Sequence, residues 1–333
     1  MDTRTGEIKD GHLLTWEEKK SGHWVPLTDE QAQMLRAMTR NERRQRLPTM
    51  KQNKKVRHRS DYSFANIHLF GPCNVDCYFC LGKDLEKTFS KYDHTKTHFA
   101  DFRNFDTFLH NVEALGIKKV YLTGQNTDAL VYKYVGELAD FMKSRSIGFG
   151  IRTNGFLALK KMEEINKCTL SVHYSIHSLR QETQQKILGR PDIPSWEDIV
   201  CLTNGPRIKI AIVLTRHNVG EIWEILSFLE PYRDRIDYVQ IRKVCTDNRY
   251  DELEEDMLLF ESFERKLIKS YDSIGSFETA KEYKINGLRV SLWRTVGTTV
   301  NSLNYFTDGT ISGDYFVIEG YSLANGLRLG VAK

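Results

Sequence analysis

Apolar and polar positions along this chain switch between two periods. From Asp61 to about Val244, short runs alternating every second residue are separated by longer stretches with apolar residues three and four apart. The short runs predict strands near 63–70, 118–123, 148–153, 170–178, 208–215 and 236–244. The stretches between them predict helices over 104–115, 129–144, 157–167, 181–188 with 195–202, and 219–232. Strand–helix alternation of this kind implies parallel strands joined by right-handed crossovers. Six such units predict an α/β fold, a partial (β/α)6 barrel short of the eight that close one. The pattern differs on either side. Residues 1–60 read as a small helical, basic N-terminal extension. Capping boxes at Thr28–Gln31 and Thr39–Glu42 open its helices, and Pro48 closes the segment. Residues 61–247 form the barrel. Residues 248–333 read as an α+β extension: a charged helix near 250–270, β-structure over 283–293, then strands 302–306 and 315–320 joined by the turn-rich 307–314.

The alternation also assigns faces. Ala65, Ile67 and Leu69 share one side of the first strand, and Asn66, His68 and Phe70 the other. In the fourth strand Val172, Tyr174 and Ile176 oppose Ser171, His173, Ser175 and His177. In the sixth, Val239 and Ile241 oppose Tyr238, Gln240 and Arg242. The apolar sides should meet the helices, which leaves a polar lumen. Ordinary barrel cores are filled by branched aliphatic residues. A lumen of His, Ser, Asn, Gln and Arg fits a cavity for a polar molecule. The competing reading is a network of groups that satisfy one another. His68, His173, His177, Gln240 and Arg242 are the candidate substrate-side residues, with Arg242 suited to clamp a carboxylate or phosphate.

Composition adds little to the fold and more to the setting. The chain has 333 residues, 40% apolar and 28% charged, with a net charge of +4. The N-terminus does not read as a signal peptide, and no apolar run is long enough to span a bilayer, so no membrane partner and a cytoplasmic location are expected. The charge is uneven. Ten Lys and Arg lie between Arg36 and Arg59 against the single acid Glu42. Such a run is either a solvated face or a contact for phosphate or an acidic partner.

The most specific chemistry lies after the first strand. Cys73, Cys77 and Cys80 follow a C-x-x-x-C-x-x-C spacing in Gly71-Pro-Cys-Asn-Val-Asp-Cys-Tyr-Phe-Cys80. Three thiolates in one loop can hold one metal centre and leave a coordination position open. Soft thiolates suit an iron–sulfur cluster or zinc, and zinc would need a fourth ligand such as His94 or His98. Cys168, Cys201 and Cys245 are isolated and read as reduced core thiols.

The cysteine spacing, with Phe79 before the last cysteine and after strand one of a β/α barrel, resembles the signature of the radical S-adenosylmethionine (SAM) superfamily. The resemblance implies one [4Fe–4S] cluster on the three cysteines and SAM on the open iron. It also implies reductive cleavage of SAM to a 5′-deoxyadenosyl radical that abstracts hydrogen from substrate, and an external flavodoxin- or ferredoxin-like electron donor. Gly124, Gln125 and Asn126, in Leu122-Thr-Gly-Gln-Asn126, match a turn that contacts the methionyl amine in the family. The family's acidic residue is missing there, with Asp128 nearby. Thr153 and Asn154 match its Thr-Asn-Gly turn. Ser175 falls where the SAM carboxylate or ribose is contacted, and Ile212 lies in a strand flanking adenine.

The chain resembles the branch with the molybdenum-cofactor and peptide-modifying enzymes, but it lacks the auxiliary-cluster cysteines. Tyr305-Phe-Thr-Asp-Gly309 is similar to the hairpin that precedes them there, and no cysteine follows Cys245. A single cluster is therefore expected. Among substrates, a peptide side chain is placed slightly ahead of a nucleotide or RNA, and of a small metabolite. The alternative outside enzymes is a zinc or iron–sulfur module that binds nucleic acid through the basic segment.

Overall fold

A computed structural model describes residues 62–84, 92–246, 249–277, 280–294 and 302–313. The capping boxes at Thr28 and Thr39, the basic run from Arg36 to Arg59, and the strand expected at 315–320 lie outside these residues.

The six expected strands form where the period-two runs fall: β1 (Phe64–Leu69), β2 (Lys119–Gly124), β3 (Gly148–Thr153), β4 (Ser171–Ser175), β5 (Arg207–Leu214) and β6 (Ile236–Lys243). Between and after them run α1 (Phe105–Ala114), α2 (Val135–Ser144), α3 (Met162–Asn166), α4 (Gln181–Leu188), α5 (Trp196–Leu202) and α6 (Ile222–Leu229). The long charged segment is α7 (Tyr250–Ser270). The C-terminal strands are β7 (Ser273–Phe277), β8 (Ala280–Ile285), β9 (Leu288–Trp293), β10 (Ser302–Phe306) and β11 (Ile311–Ser312). Two expected helices are shorter than their apolar pattern. Ala129–Val131 and Leu159–Lys161 are single 3₁₀ turns ahead of α2 and α3.

The described strands make one sheet in the order β11-β10-β1-β2-β3-β4-β5-β6-β9-β8-β7. β10 pairs parallel to β1, and β9 parallel to β6, so the parallel row has eight strands rather than the six expected. The row stays open, because β11 takes the outer edge of β10 and β8 that of β9, both antiparallel. This is a partial TIM-barrel-like architecture.

Two C-terminal expectations need correction. The stretch 283–293 is not continuous: it turns at Asn286-Gly287, both with left-handed φ (50° and 80°), as a two-residue hairpin requires. β10 returns through Ile311–Ser312, with Tyr305 opposite Ile311, so its partner strand comes sooner than expected.

The face assignment is realised. Ala65, Ile67, Leu69, Val172, Tyr174, Ile176, Val239 and Ile241 have no exposure and join one apolar core with the helices. Tyr174 shows the direction: its ring meets Trp196 of α5 edge-on at 6.2 Å, and its hydroxyl lies 2.8 Å from Thr203 Oγ1. The opposite faces of the strands build the site.

Candidate functional site

The cysteine loop leaves β1 and is tied down from several sides. Asn126 Oδ1 accepts the Gly71 N–H at 3.2 Å, and the Thr127 hydroxyl donates to the Pro72 carbonyl at 2.6 Å. Asn154, after β3, donates through Nδ2 to Asn74 Oδ1 at 2.7 Å. The end of α4 accepts two loop amides, Asp76 N–H at Leu188 O and Tyr78 N–H at Ile187 O (2.9 and 3.1 Å). Cys80 then enters a 3₁₀ turn, Leu81–Asp84, in which the Gly82 N–H points at Cys80 Sγ at 3.3 Å. Gly82 has no room for a side chain, since a Cβ there would lie 2.8 Å from the Gln125 carbonyl oxygen.

All three thiols are free; Cys73 is exposed, and Cys77 and Cys80 are half-buried. Burial pushes the Cys77 thiol well above its ordinary range, and the neighbouring Cys80 and Cys73 raise it further. Burial also pushes Cys80 up, offset in part by the Gly82 N–H and the charges of Lys83 and Arg249. Three thiols that oppose one another's ionisation are what a bound cation relieves, since metal charge inverts the local pKa order. Asn74 Nδ2, one residue from Cys73, is buried with no hydrogen-bond partner. These features fit an iron–sulfur cluster on the triad, with N–H donors near its sulfurs. Among the described residues no group of His, Cys, Asp or Glu is gathered closely enough to hold one metal ion. The two histidines weighed as zinc ligands are engaged elsewhere. His94 Nδ1 meets Thr307 Oγ1 at 2.9 Å; His98 accepts from the Ala100 N–H and lies 3.4 Å from Glu137.

The residues expected around SAM divide between two sides of the strands. Gly124 permits a turn no other residue could make, since a Cβ would sit 1.7 Å from the Thr127 carbonyl oxygen. Gln125 is buried, and its Nε2 lies 2.7 Å from His68 Nδ1. Asn126 and Asn154 brace the cysteine loop, and Asn154 Nδ2 also approaches Cys73 Sγ at 3.9 Å. Thr153 points away from Asn154 and donates to buried Asp128 at 2.9 Å. Asp128 therefore ties two strand ends together. Ser175 is half-buried at the end of β4, and Phe79 meets His177 edge-on at 5.3 Å. Ile212 lies in the apolar core with Ile208, Ile210 and Leu214; Lys209, Ala211 and Val213 alternate to the other face.

The lumen combines a paired polar network with a concentration of positive charge. His68 stacks on Phe306 at 4.6 Å and meets Asn304 Oδ1 through Nε2 at 3.1 Å. Asn304 Oδ1 can only accept, so Nε2 carries the proton and Nδ1 accepts from Gln125. Asn66 bridges Asn304 to Arg152: Asn66 Nδ2 donates to Asn304 at 2.8 Å, and Arg152 donates to Asn66 Oδ1 at 2.7 Å. Arg152 also lies over the Tyr121 ring, 4.8 Å from its centroid. His173 contacts Ser171 Oγ at 3.2 Å and meets the rings of Tyr121 and Tyr238 edge-on. Burial, then Arg152, Lys209 and Arg242, hold it neutral far below the usual imidazole range. Arg242 Nε donates to Gln240 Oε1 at 2.7 Å. His177 Nδ1 accepts the Val213 N–H at 3.2 Å, which leaves its proton on Nε2, and burial lowers its pKa to about 4. Burial likewise lowers that of His68 to about 3.

Part of the lumen thus follows the competing reading, groups that satisfy one another, around Asn66, His68 and Asn304. The sequence reading passed over Arg152, Lys209 and Asn304. The signal was present: Arg152 alternates with Gly150 and Asn154 against Phe149, Ile151 and Thr153, and Asn304 with Phe306 against Leu303 and Tyr305. It also passed over Arg249 and Asp256, for which no local pattern exists.

Comparison with known proteins places this architecture. Residues 67–229 match the family described as the Radical SAM superfamily. Two relatives are each named S-adenosylmethionine-dependent nucleotide dehydratase. The one from Flammeovirga pacifica is 27% identical over 216 residues, covering 60% of this chain and 71% of that protein. The one from Thermoplasmatales archaeon (strain ISO4-H5) is 24% identical over 186 residues, 54% of this chain and 59% of that protein. Among solved structures, Streptococcus suis SuiB bound to precursor peptide SuiA is 13% identical with a TM-score of 0.50 over 76% of this chain and 60% of that one. SuiB alone is 12% identical with a TM-score of 0.51 over 90% and 69%. The chain spans about three fifths of the second relative and of the peptide-bound SuiB chain. SuiB shares the fold. The matched family implies an enzyme that uses SAM and an iron–sulfur cluster. The chain carries a radical SAM superfamily domain over residues 67–229. No helix among the described residues is long and apolar enough to cross a membrane.

Proposed function

We propose that this protein is a [4Fe–4S]-dependent radical SAM enzyme whose substrate is a phosphate-bearing nucleotide. The carrying observation is the register that sets Arg152, His173 and Lys209 side by side across β3, β4 and β5, with the Arg242 charge on β6 also acting on His173. Cations from β3, β5 and β6, around the β4 histidine, suit a polyanion, and two of them are guanidiniums able to fork onto phosphate oxygens. The names of the two dehydratases point the same way and move the nucleotide ahead of the peptide favoured by the sequence alone.

Cys73, Cys77 and Cys80 would hold the single cluster, with SAM on its open iron. Together these supply one-electron cleavage of SAM and a 5′-deoxyadenosyl radical, the electron coming from an external flavodoxin- or ferredoxin-like donor. The remaining work belongs to the chain. Gln125, Asn126, Asn154 and Ser175 line or brace the mouth where SAM would lie. Phe79 and His177 wall one side. His173 and His177 stay neutral and keep a directed N–H, and Arg152, Lys209 and Arg242 orient the anion. A cytoplasmic setting follows from a reduced cluster and free cysteines.

The test is anaerobic. Protein reconstituted with iron and sulfide is mixed with SAM and dithionite, and 5′-deoxyadenosine is measured with nucleoside triphosphates, nucleoside monophosphates or a peptide pool present. Faster release with a triphosphate supports the reading. Acceleration by peptide alone, or no SAM turnover by a protein holding four irons, overturns it.

A further inference from the structure

We infer that Arg249 is a positioning residue that holds a fixed positive charge against the cysteine loop and raises the reduction potential of the cluster bound there. It lies 171 residues from Tyr78 in sequence, at the N-terminal cap of α7. Its guanidinium forks onto two loop carbonyls: NH1 donates to Tyr78 O at 2.6 Å and NH2 to Cys80 O at 2.7 Å. The side chain is 15% exposed, and its acidic neighbour Glu252 is 3.9 Å away and largely in water. The charge is thus held against the backbone of the third cysteine.

A second contact from the same helix fixes the geometry. The Tyr78 hydroxyl donates to Asp256 at 2.8 Å, and Asp256 has no exposure. The Asp256 charge is matched by Arg216, whose N–H and NH2 donate to it at 2.6 and 2.9 Å. Asp256 therefore anchors the loop from the same helix as Arg249. Other charges facing the loop among the described residues include Lys83 and Asp76, which pair with each other at 2.6 Å, and Arg190, which donates to the Asn74 carbonyl at 3.0 Å and pairs with Asp192.

A guanidinium stays protonated at every accessible pH. Reduction adds an electron to the cluster, and a fixed cation in a poorly solvated place favours the more negative state. Cluster potentials respond to net charge and to hydrogen bonds near the sulfurs. Arg249 supplies the first directly and orders the second by holding the Cys80 carbonyl. This rests on the reading that Cys73, Cys77 and Cys80 hold a cluster.

The experiment is a redox titration of the reconstituted full-length protein without SAM, followed by the low-temperature EPR signal of the reduced cluster. At the wild-type midpoint, Arg249→Gln should lower the reduced-to-oxidised ratio about tenfold, or about 59 mV for one electron, with iron content unchanged. Arg249→Lys keeps the charge and should stay within about twofold of wild type. An unchanged ratio in Arg249→Gln overturns the inference. If that variant takes up less iron, Arg249→Lys decides: a ratio near wild type supports the charge, and a tenfold fall overturns it. Wild-type protein that never assembles four irons would instead count against the cluster assignment.

Discussion

The Asp128 carboxylate accepts the Asn154 backbone N–H at 2.6 Å, which joins the turn after β2 to the turn after β3. It also accepts the Leu130 N–H and the Thr153 hydroxyl, each at 2.9 Å. Asn154 in turn holds Asn74 beside Cys73. One buried acid therefore sets where the first cysteine stands. Asp128→Ala leaves three donors without an acceptor and should cost about 2–4 kcal/mol of stability. Urea unfolding measures the loss, and iron uptake should fall with it. A variant with wild-type stability and iron content would refute this role.

Three buried histidines make stability depend on pH. His68, His173 and His177 are held neutral, with pKa values near 3, well below the usual range, and near 4. The unfolded groups protonate near 6.5, so the unfolded state binds more protons below that pH. Their neutral burial is therefore fully tolerated above about pH 6.5 and penalised as pH falls toward 4. The expected slope is about 1.4 kcal/mol per pH unit per histidine, or about 4 for the three together between roughly pH 6 and 4.5. Urea midpoints at pH 7, 6 and 5 test this, and His177→Phe should remove about one third of the slope. A flat profile would contradict the buried, neutral assignment.

Ile212 belongs to the core and not to the lumen. Ile212→Ala should lower the unfolding free energy by about 2–4 kcal/mol and change the SAM affinity of the folded protein by less than about twofold. Weakened SAM binding at unchanged stability would return Ile212 to an adenine-flanking role.

Arg152→Gln removes one lumen cation and its bond to Asn66. With a triphosphate substrate the expected result is a KM raised about 10–100-fold, with uncoupled SAM cleavage little changed, because one charge-assisted bond is worth about 1.5–3 kcal/mol. An unchanged KM across nucleotides would remove the lumen cations from substrate binding.

The cysteines separate by role. Cys77→Ala should abolish SAM turnover, and Cys201→Ala, on the exposed face of α5, should leave it intact. Loss of iron in the Cys201 variant would contradict a single cluster on the loop.

Much of the fold was legible along the chain. The alternation in β1, β4 and β6 placed Ala65, Val172 and Val239 in the core and their neighbours on the other face, because one buried side fixes a period of two. The cysteine spacing located the loop, and Gly124 marked the turn beneath it. Ile212, matched by resemblance to a strand flanking adenine, is buried in the core with Ile210 and Leu214. The apolar pattern gave no count of parallel strands, since β9 and β10 read as generic β-structure.

The sequence by itself determined the strands, their buried faces and the three-cysteine loop, because these depend on neighbours a few residues apart. Only the tertiary structure decided which distant groups meet. It set β10 beside β1, so that Asn304 reaches His68 across 236 residues. It brought Arg152, Lys209 and Arg242 around one histidine, and it put Arg249 on the carbonyl of Cys80. Such meetings follow from sheet order and crossover packing, and no local period encodes them.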